Sequence, residues 1–257
     1  MGDEACDQRE LAPRNASRSK TCAGSAWARA LPHTYMNVLL VLAHPERRSF
    51  NGAMFDTAGE TLRAAGHIVV SSDLYRMRFD PVSSRRNFVS AKDSDYLNLQ
   101  TEEMYASEIA GFAVDVETEI AKIEAADLMI WQFPMWWFGL PAILKGWVDR
   151  VFAMGRTYGN GHIYETGKFS GKRALLSLTT GGPEAAYLAD GFNGDLNAIL
   201  KPIQRGMLNF TGFSVLVPQV SYGPVRVDDA ERADWLSGWA QRLKSIESES
   251  PIKVGRY

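Results

Sequence analysis

Short apolar runs alternate along the chain with amphipathic and polar stretches. The central run is residues 127–134, DLMIWQFP, in which mostly apolar side chains follow an aspartate. A run of this kind predicts a strand that is buried on both faces of a parallel sheet. Pro134 has no N–H to donate to a neighbouring strand, so we expect the strand to end there.

Four more apolar or β-branched runs predict the remaining strands, and the segments between them predict helices. The strands are expected at residues 37–42, 67–73, 172–178 and 213–217. The helices are expected from about residue 50 to 65 and at residues 112–124, 140–152, 195–209 and 228–246. Residues 75–111 are polar and lack a clear period, so we interpret them as a long irregular connection. The alternation predicts an α/β domain with a doubly wound, five-stranded parallel sheet and a short C-terminal extension.

The first 35 residues differ from the rest of the chain. They are rich in Ala, Arg and Ser, carry four acidic residues among the first ten, and contain no apolar core of the kind a secretory signal needs. We expect a disordered tail at residues 1–35, with a helix docked on the body as the alternative. Residues 36–257 are then expected to form one folded domain.

Composition and charge exclude several classes of partner. The hydrophobic fraction of 46% and the charged fraction of 23% are ordinary for a globular protein. The formal net charge of -2 gives no electrostatic case for binding nucleic acid or an anionic membrane. No apolar run approaches the roughly 18 residues of a spanning helix, so no membrane insertion is expected. Both cysteines, Cys6 and Cys22, lie in the tail, so we expect a cytoplasmic protein without a metal site.

Candidate chemistry follows the carboxyl ends of three predicted strands, where open α/β sheets bind ligands. After the first strand comes HPERRSFNG (44–52), in which Ser49 or Asn51 caps a helix whose free N–H groups can hold an anion. After the central strand comes the aromatic sequence MWWFG (135–139), and after the fourth strand comes TTGG (179–182). An anion site, flat apolar rings and close backbone donors match a flavin nucleotide in kind. An ordinary core position is the alternative for any one ring.

Five sequence blocks carry a resemblance to a known family. They are LVLAHPERRSFNGAM (40–54), SDLYRMRFDP (72–81), AADLMIWQFPMWWFGLPAILKGWVDRVF (125–152), LSLTTGG (176–182) and GFNGDLNAILKPIQ (191–204). On these blocks the chain resembles the NAD(P)H:quinone oxidoreductases of the DT-diaphorase type. That family is a branch of the flavodoxin-like fold and uses FAD, so the resemblance implies this fold and this cofactor.

The resemblance implies roles for the residues that match the family's motifs. The residues that it assigns to the FAD are His44, Ser49, Phe50, Asn51, Ala53, Gln100, Pro134, Met135, Trp136, Trp137, Phe138, Asp149, Thr179, Thr180, Gly181, Gly182, Tyr187 and Arg232. Of these, Gln100, Asp149 and Arg232 match the adenine end, with Arg232 contributed by the same chain or by a partner subunit.

The resemblance also implies a catalytic set, a substrate wall and an oligomeric state. Members of the family are homodimers whose substrate pockets are shared between the subunits. The residues implied for catalysis are Tyr187, Asn193, Gly181 and Gly182, which would stabilise charge on the flavin. The residues implied for quinone binding are Trp137, Phe138, Tyr158, Asn160 and Ile163.

Two positions depart from the family's better-known branch. Asn160 stands in place of a second wall tyrosine. Asn193 stands in place of a histidine, and asparagine cannot take up a proton near neutral pH. The sister branch that uses dihydronicotinamide ribosides also has asparagine there, so NADH, NADPH and such a riboside all stay open as electron donors.

The function implied by the resemblance is two-electron transfer from NADH or NADPH through FAD to a quinone, by a ping-pong mechanism. Two other functions stay open. The chain could reduce azo dyes or nitroaromatics, because an open flavin face is permissive. It could also be a flavin-binding regulatory subunit of a membrane transport system.

Overall fold

The computed structural model of the chain describes residues 35–256, so the predicted tail lies outside the described residues except for Tyr35. The strands are β1 (Asn37–Leu42), β2 (Ile68–Asp73), β3 (Leu128–Pro134), β4 (Arg173–Thr180), β5 (Ser214–Val215) and β6 (Gln219–Tyr222). The α-helices are α1 (Phe50–Ala64), α2 (Leu99–Ile109), α3 (Val114–Ala125), α4 (Ala142–Val151), α5 (Leu196–Ile203) and α6 (Asp229–Leu243).

The strands form one parallel sheet in the order β2-β1-β3-β4, with β5 and β6 both beside β4. At its carboxyl end, β3 is in register with β4, where Pro134 lies opposite Thr179. In turn β4 is in register with β6, where Thr179 lies opposite Ser221. The loops that follow these strands therefore leave the same edge of the sheet. The predicted doubly wound parallel sheet is confirmed.

The sixth strand, β6, was not predicted. β5 pairs with Arg173 and Ala174 at the start of β4, whereas β6 pairs with residues 177–180 at its end. Pro218 lies between β5 and β6 and has no N–H to donate to β4, so the edge strand is interrupted there. The chain then pairs with β4 again through β6, and residues 223–226 follow at the carboxyl edge of the sheet.

Helices cover both faces of the sheet because its strands present apolar side chains on both. Alternate residues of β1 enter two separate cores. Leu39 packs with Ile120 of α3 and Trp147 of α4 on one face. Leu40 packs with Met54 of α1 and Trp239 of α6 on the other.

The expectation that residues 75–111 are irregular is wrong for their last part, because α2 begins at Leu99. Asn98 caps this helix by accepting a hydrogen bond from Thr101 N at 3.1 Å. The residues that α2 buries are Glu102, Glu103 and Ala106, so two of three are acidic. The buried face of α2 therefore lacks the apolar period by which an amphipathic helix is found in a sequence.

The predicted helix at residues 195–209 is regular only in its first half. α5 ends at Ile203 and contains Pro202, and residues 204–209 continue as a π-helical turn. No helix within residues 35–256 is both long enough and apolar enough to span a lipid bilayer.

Candidate active site

A cavity of about 450 Å³ opens at the carboxyl edge of the sheet, between the loops that follow β1, β3, β4 and β6. Most of its lining residues were predicted from the sequence. They are His44, Ser49, Phe50, Asn51, Pro134, Met135, Trp136, Thr179, Thr180, Gly181, Pro224, Val225 and Arg232.

The start of α1 forms one end of the cavity. Ser49 caps the helix, with its Oγ accepting from Gly52 N at 3.2 Å, and its own O–H stays available to donate. The backbone N–H groups of Phe50 and Asn51 have no acceptor among residues 35–256. Free N–H groups and the positive end of a helix favour a bound anion such as a phosphate. The N–H of Ala53 is already used, since it donates to Ser49 O at 3.0 Å.

A buried hydrogen-bond network lies beneath the cavity. Asn51 Nδ2 donates to Thr179 Oγ1 at 3.0 Å, and Gln132 Nε2 donates to Asn51 Oδ1 at 2.9 Å. The network joins α1, β3 and β4 at their shared edge. The side chain of Asn51 is therefore used to position the start of the helix. The backbone N–H of Asn51 is the group that is left free to donate to a ligand.

The aromatic sequence after β3 is a strained two-residue turn. Trp136 and Gly139 exchange backbone hydrogen bonds of 3.2 and 3.0 Å. Between them, Trp137 and Phe138 have φ angles of +50° and +58°, in the left-handed region that costs ordinary L-residues about 1–2 kcal/mol each. Trp137 is 97% exposed, so packing within this chain does not offset the cost of that strain. The N–H groups of both residues have no acceptor in the described part of the chain.

The TTGG sequence, which spans the end of β4 and the two glycines after it, forms a backbone clamp on the opposite wall. Thr180 Oγ1 donates to Gly182 O at 2.8 Å and fixes the turn. The N–H groups of Gly181 and Gly182 lack an acceptor anywhere between residues 35 and 256. A Cβ on Gly182 would lie 3.4 Å from the Tyr187 ring and 3.6 Å from Asn193 Nδ2. The predicted catalytic residues therefore converge around Gly182.

The residues predicted for the adenine end do not lie together. Arg232 lines the cavity within its own chain, and its Nη1 donates to Pro224 O at 2.8 Å. Asp149 on α4 accepts from Lys145 Nζ at 2.6 Å and is not part of the lining. Gln100 lies beside Tyr158, with its Nε2 3.4 Å from the tyrosine Oη. The assignments of Asp149 and Gln100 to the FAD stay predictions.

The predicted substrate wall lies outside the cavity. Tyr158, Asn160 and Ile163 belong to the glycine-rich loop after α4, and none of the three lines the cavity. The loop is fastened to α2, because Met154 N donates to Glu103 Oε2 at 2.7 Å. Burial raises the pKa of Glu103 to about 7, and the hydrogen bond from Met154 opposes that rise.

A larger apolar cavity of about 810 Å³ lies between β2 and α3, lined by Val70 and Ala121 among others. It begins at the amino end of β1, whereas parallel sheets bind ligands at the carboxyl end. It contains none of the predicted site residues.

The fold and the edge cavity define a flavodoxin-like protein. The sequence model of the family described as flavodoxin-like fold matches residues 36–243. NAD(P)H dehydrogenase (quinone) 1 of Cavia porcellus is 46% identical to the chain over 215 residues, which are 83% of this chain and 78% of the relative. The chain therefore belongs to the NAD(P)H:quinone oxidoreductase family, and the resemblance seen in the sequence blocks is confirmed.

Two further relatives share most of the chain. Ribosyldihydronicotinamide dehydrogenase (quinone) of Homo sapiens is 41% identical over 216 residues, covering 84% of this chain and 94% of the relative. The crystal structure of a putative quinone reductase from Klebsiella pneumoniae superposes with a TM-score of 0.81 at 40% identity, covering 84% of this chain and 87% of that one.

Sequence reasoning missed several residues at the site. Pro224 and Val225 line the cavity, and Tyr222 lies against Tyr187 with the ring centres 6.0 Å apart. Tyr222 is the last residue of β6, and Pro224 and Val225 lie just after it. All three were missed because β6 was not predicted. Gln132 was also missed, although a glutamine inside an apolar strand is a signal, because buried amides need partners.

Proposed function

We propose that this chain is an FAD-dependent NAD(P)H:quinone oxidoreductase. The observation that carries the proposal is the set of free backbone donors around one cavity. The start of α1 and Gly181 of the clamp line the cavity, and the other donors, from Gly182 and from Trp137 and Phe138 of the aromatic turn, lie within two residues of a lining residue in the sequence. A flavin nucleotide needs donors for its ring carbonyls and nitrogens, an anion site for its phosphates and a flat apolar wall, and this cavity offers all three.

Each wall of the cavity has a separate task in this proposal. The start of α1 holds phosphate through the N–H groups of Phe50 and Asn51 and the hydroxyl of Ser49. The clamp and the Tyr187 hydroxyl donate hydrogen bonds where negative charge develops, which is an electrostatic role. Two-electron transfer from the reduced nicotinamide to the quinone is the chemistry that a bound flavin supplies. The exposed Trp137 and Phe138 form the face against which donor and quinone stack in turn, so ping-pong kinetics are expected.

The proposal includes a homodimer in the cytoplasm. Trp137, which follows the lining residue Trp136, and Phe192 are 97% and 98% exposed, and Tyr158, Asn160 and Ile163 lie outside the cavity. A second copy of the chain that brought its own wall residues over this opening would complete the quinone pocket. The cysteine-free body is consistent with a reducing compartment.

Anaerobic reduction of the flavin-loaded protein tests the proposed function. NADH, NADPH and a dihydronicotinamide riboside are each mixed with the protein, flavin absorbance is followed, and menadione is then added. Bleaching by NADH or NADPH and re-oxidation by menadione are the expected results. Bleaching by the riboside alone would assign the donor preference of the sister branch. A bound flavin that no donor bleaches would contradict the proposal and favour a regulatory role. Chromatography of the released flavin distinguishes FAD from FMN.

A further inference from the structure

Arg226 contacts the clamp from outside the cavity. Its Nε donates to Gly181 O at 2.8 Å. That carbonyl belongs to the same peptide group as the N–H of Gly182. No cis peptide occurs among residues 35–256, so the C=O and N–H of this group point in opposite directions. Arg226 therefore binds the outer end of the peptide whose other end is a free donor.

The arginine is held in place by the turn that follows β6. Gly223 N donates to Thr180 O at 3.0 Å, and Arg226 N donates to Gly223 O at 2.8 Å. A Cβ on Gly223 would lie 3.0 Å from Arg226 Cδ, so the arginine side chain packs closely over this glycine. The turn after β6 thus fixes both the clamp and the Arg226 guanidinium that binds the clamp.

The side chains next to Gly182 inside the site are neutral. Asn193 offers an amide and Tyr187 a hydroxyl, and neither brings a positive charge to the clamp. Arg232 lines the same cavity, but its guanidinium is occupied by Asp229 and by the carbonyls of Pro224 and Val227. The hydrogen bond of Arg226 is therefore the route by which a cation acts on the Gly181–Gly182 peptide.

We propose that Arg226 is a positioning residue that strengthens the Gly182 N–H as a donor by polarising its peptide group. A charged donor on the carbonyl oxygen shifts electron density away from the nitrogen, and linked hydrogen bonds reinforce one another. The effect stabilises negative charge at the clamp without a group that titrates near neutral pH. The inference rests on the proposed function, because it assigns this charge to the reduced flavin.

The test compares Arg226→Gln, Arg226→Lys and the control Arg76→Gln, which removes an exposed arginine in the turn after β2. The first readout is the equilibrium constant for two-electron reduction of the bound flavin, measured against a reference dye. Arg226→Gln should lower this constant by about threefold to tenfold, tenfold being about 30 mV, while the control leaves it unchanged. Arg226→Lys should recover part of the loss, because lysine keeps the charge.

The second readout is the amide proton shift of Gly182 in the flavin-free protein. Arg226→Gln should move it upfield, and the control should not. This measurement needs no flavin, so it tests the polarised peptide even if the proposed function fails. An unchanged Gly182 shift in Arg226→Gln would overturn the inference. So would a reduction constant in Arg226→Gln equal to that of the control, or a lysine variant no different from the glutamine variant.

Discussion

The proposed flavin cavity and the proposed substrate wall differ in how far one chain completes them. At the cavity, hydrogen bonds already fix the parts before a ligand arrives: Asn51 ties α1 to β4, and Thr180 fixes the clamp. At the wall, Tyr158 and Asn160 lie outside the cavity, and Trp137 is exposed on a strained turn. One half of the site is preorganised, and the other half presents apolar surface to solvent.

The two halves of the site suit two different tasks in the proposed reaction, which are holding the cofactor and admitting the substrates. Binding a cofactor permanently favours rigid donors, because each donor fixed in advance lowers the entropy lost on binding. Admitting two different substrates in turn favours an open face. An open face lined by exposed aromatic rings is also where a second subunit would gain most by docking. Four substitutions of decreasing expected effect test this contrast.

Gly181→Leu should strongly weaken flavin binding without unfolding the protein. A Cβ on Gly181 meets no atom within 4 Å, and the residue lines the cavity, so the new side chain occupies ligand space. We expect the flavin Kd to rise by about 100-fold or more, equivalent to roughly 2.7 kcal/mol. Flavin fluorescence titration measures the Kd, and the thermal midpoint of the flavin-free protein checks the fold. Gly238→Leu, at another open glycine but in α6, should keep flavin affinity.

Asn51→Leu should destabilise the flavin-free protein by about 2–4 kcal/mol, because Gln132 and Thr179 each lose a buried hydrogen-bond partner. Urea unfolding measures the loss. The control is Asn197→Leu, with an expected change below about 0.5 kcal/mol, because Asn197 is exposed and its side chain has no hydrogen-bond partner among the described residues other than Asp195. If the two variants unfolded alike, the cavity floor would not be preorganised by this network.

Glu103→Gln should change the pH dependence of stability. Because burial raises the pKa of Glu103 to about 7, the folded state binds the proton more tightly than the unfolded state does. Stability therefore falls as pH rises from about 4.5 to 7, and the cost of ionisation remains above that range. Glutamine keeps an acceptor for Met154 N without the charge, so the variant should be more stable by about 3 kcal/mol at pH 8 and equal near pH 4. Thermal midpoints of the wild-type protein and the variant across this pH range measure the difference in stability. A difference that does not change with pH would show that the ionisation of Glu103 is not its cause.

Trp137→Asn should stabilise the fold by about 1 kcal/mol and slow quinone reduction. Asparagine tolerates a positive φ, and an almost fully exposed tryptophan contributes little burial within one chain. The neighbouring substitution Trp136→Asn should instead lower stability, because Trp136 lines the cavity and has no positive φ whose strain could be relieved. Thermal midpoints and quinone turnover of both variants measure the contrast. A loss of stability in Trp137→Asn would mean that Trp137 is buried in the assembled protein.

The sequence predicted the parts of the site that follow directly from strand ends. His44, Trp136 and Gly181 lie close to the ends of apolar strands, and parallel strands bring those ends to one edge. It did not reveal α2, because the buried face of that helix carries Glu102 and Glu103 and lacks an apolar period. It did not reveal Arg226 either, since its contact with Gly181 depends on β6 rejoining β4 after Pro218, a pairing that no local pattern specifies.

Pairing two defective chains tests most directly whether the quinone site is completed by a second chain. One chain carries Gly181→Leu and keeps an intact wall. The other carries Tyr158→Ala with Ile163→Glu and keeps an intact flavin cavity. Differently tagged copies are co-expressed, the mixed dimer is purified, and menadione turnover is compared with that of each variant alone. We predict that each variant alone is inactive and that the mixed dimer recovers one working site. A mixed dimer as inactive as its parents would show that wall and cavity act within one chain.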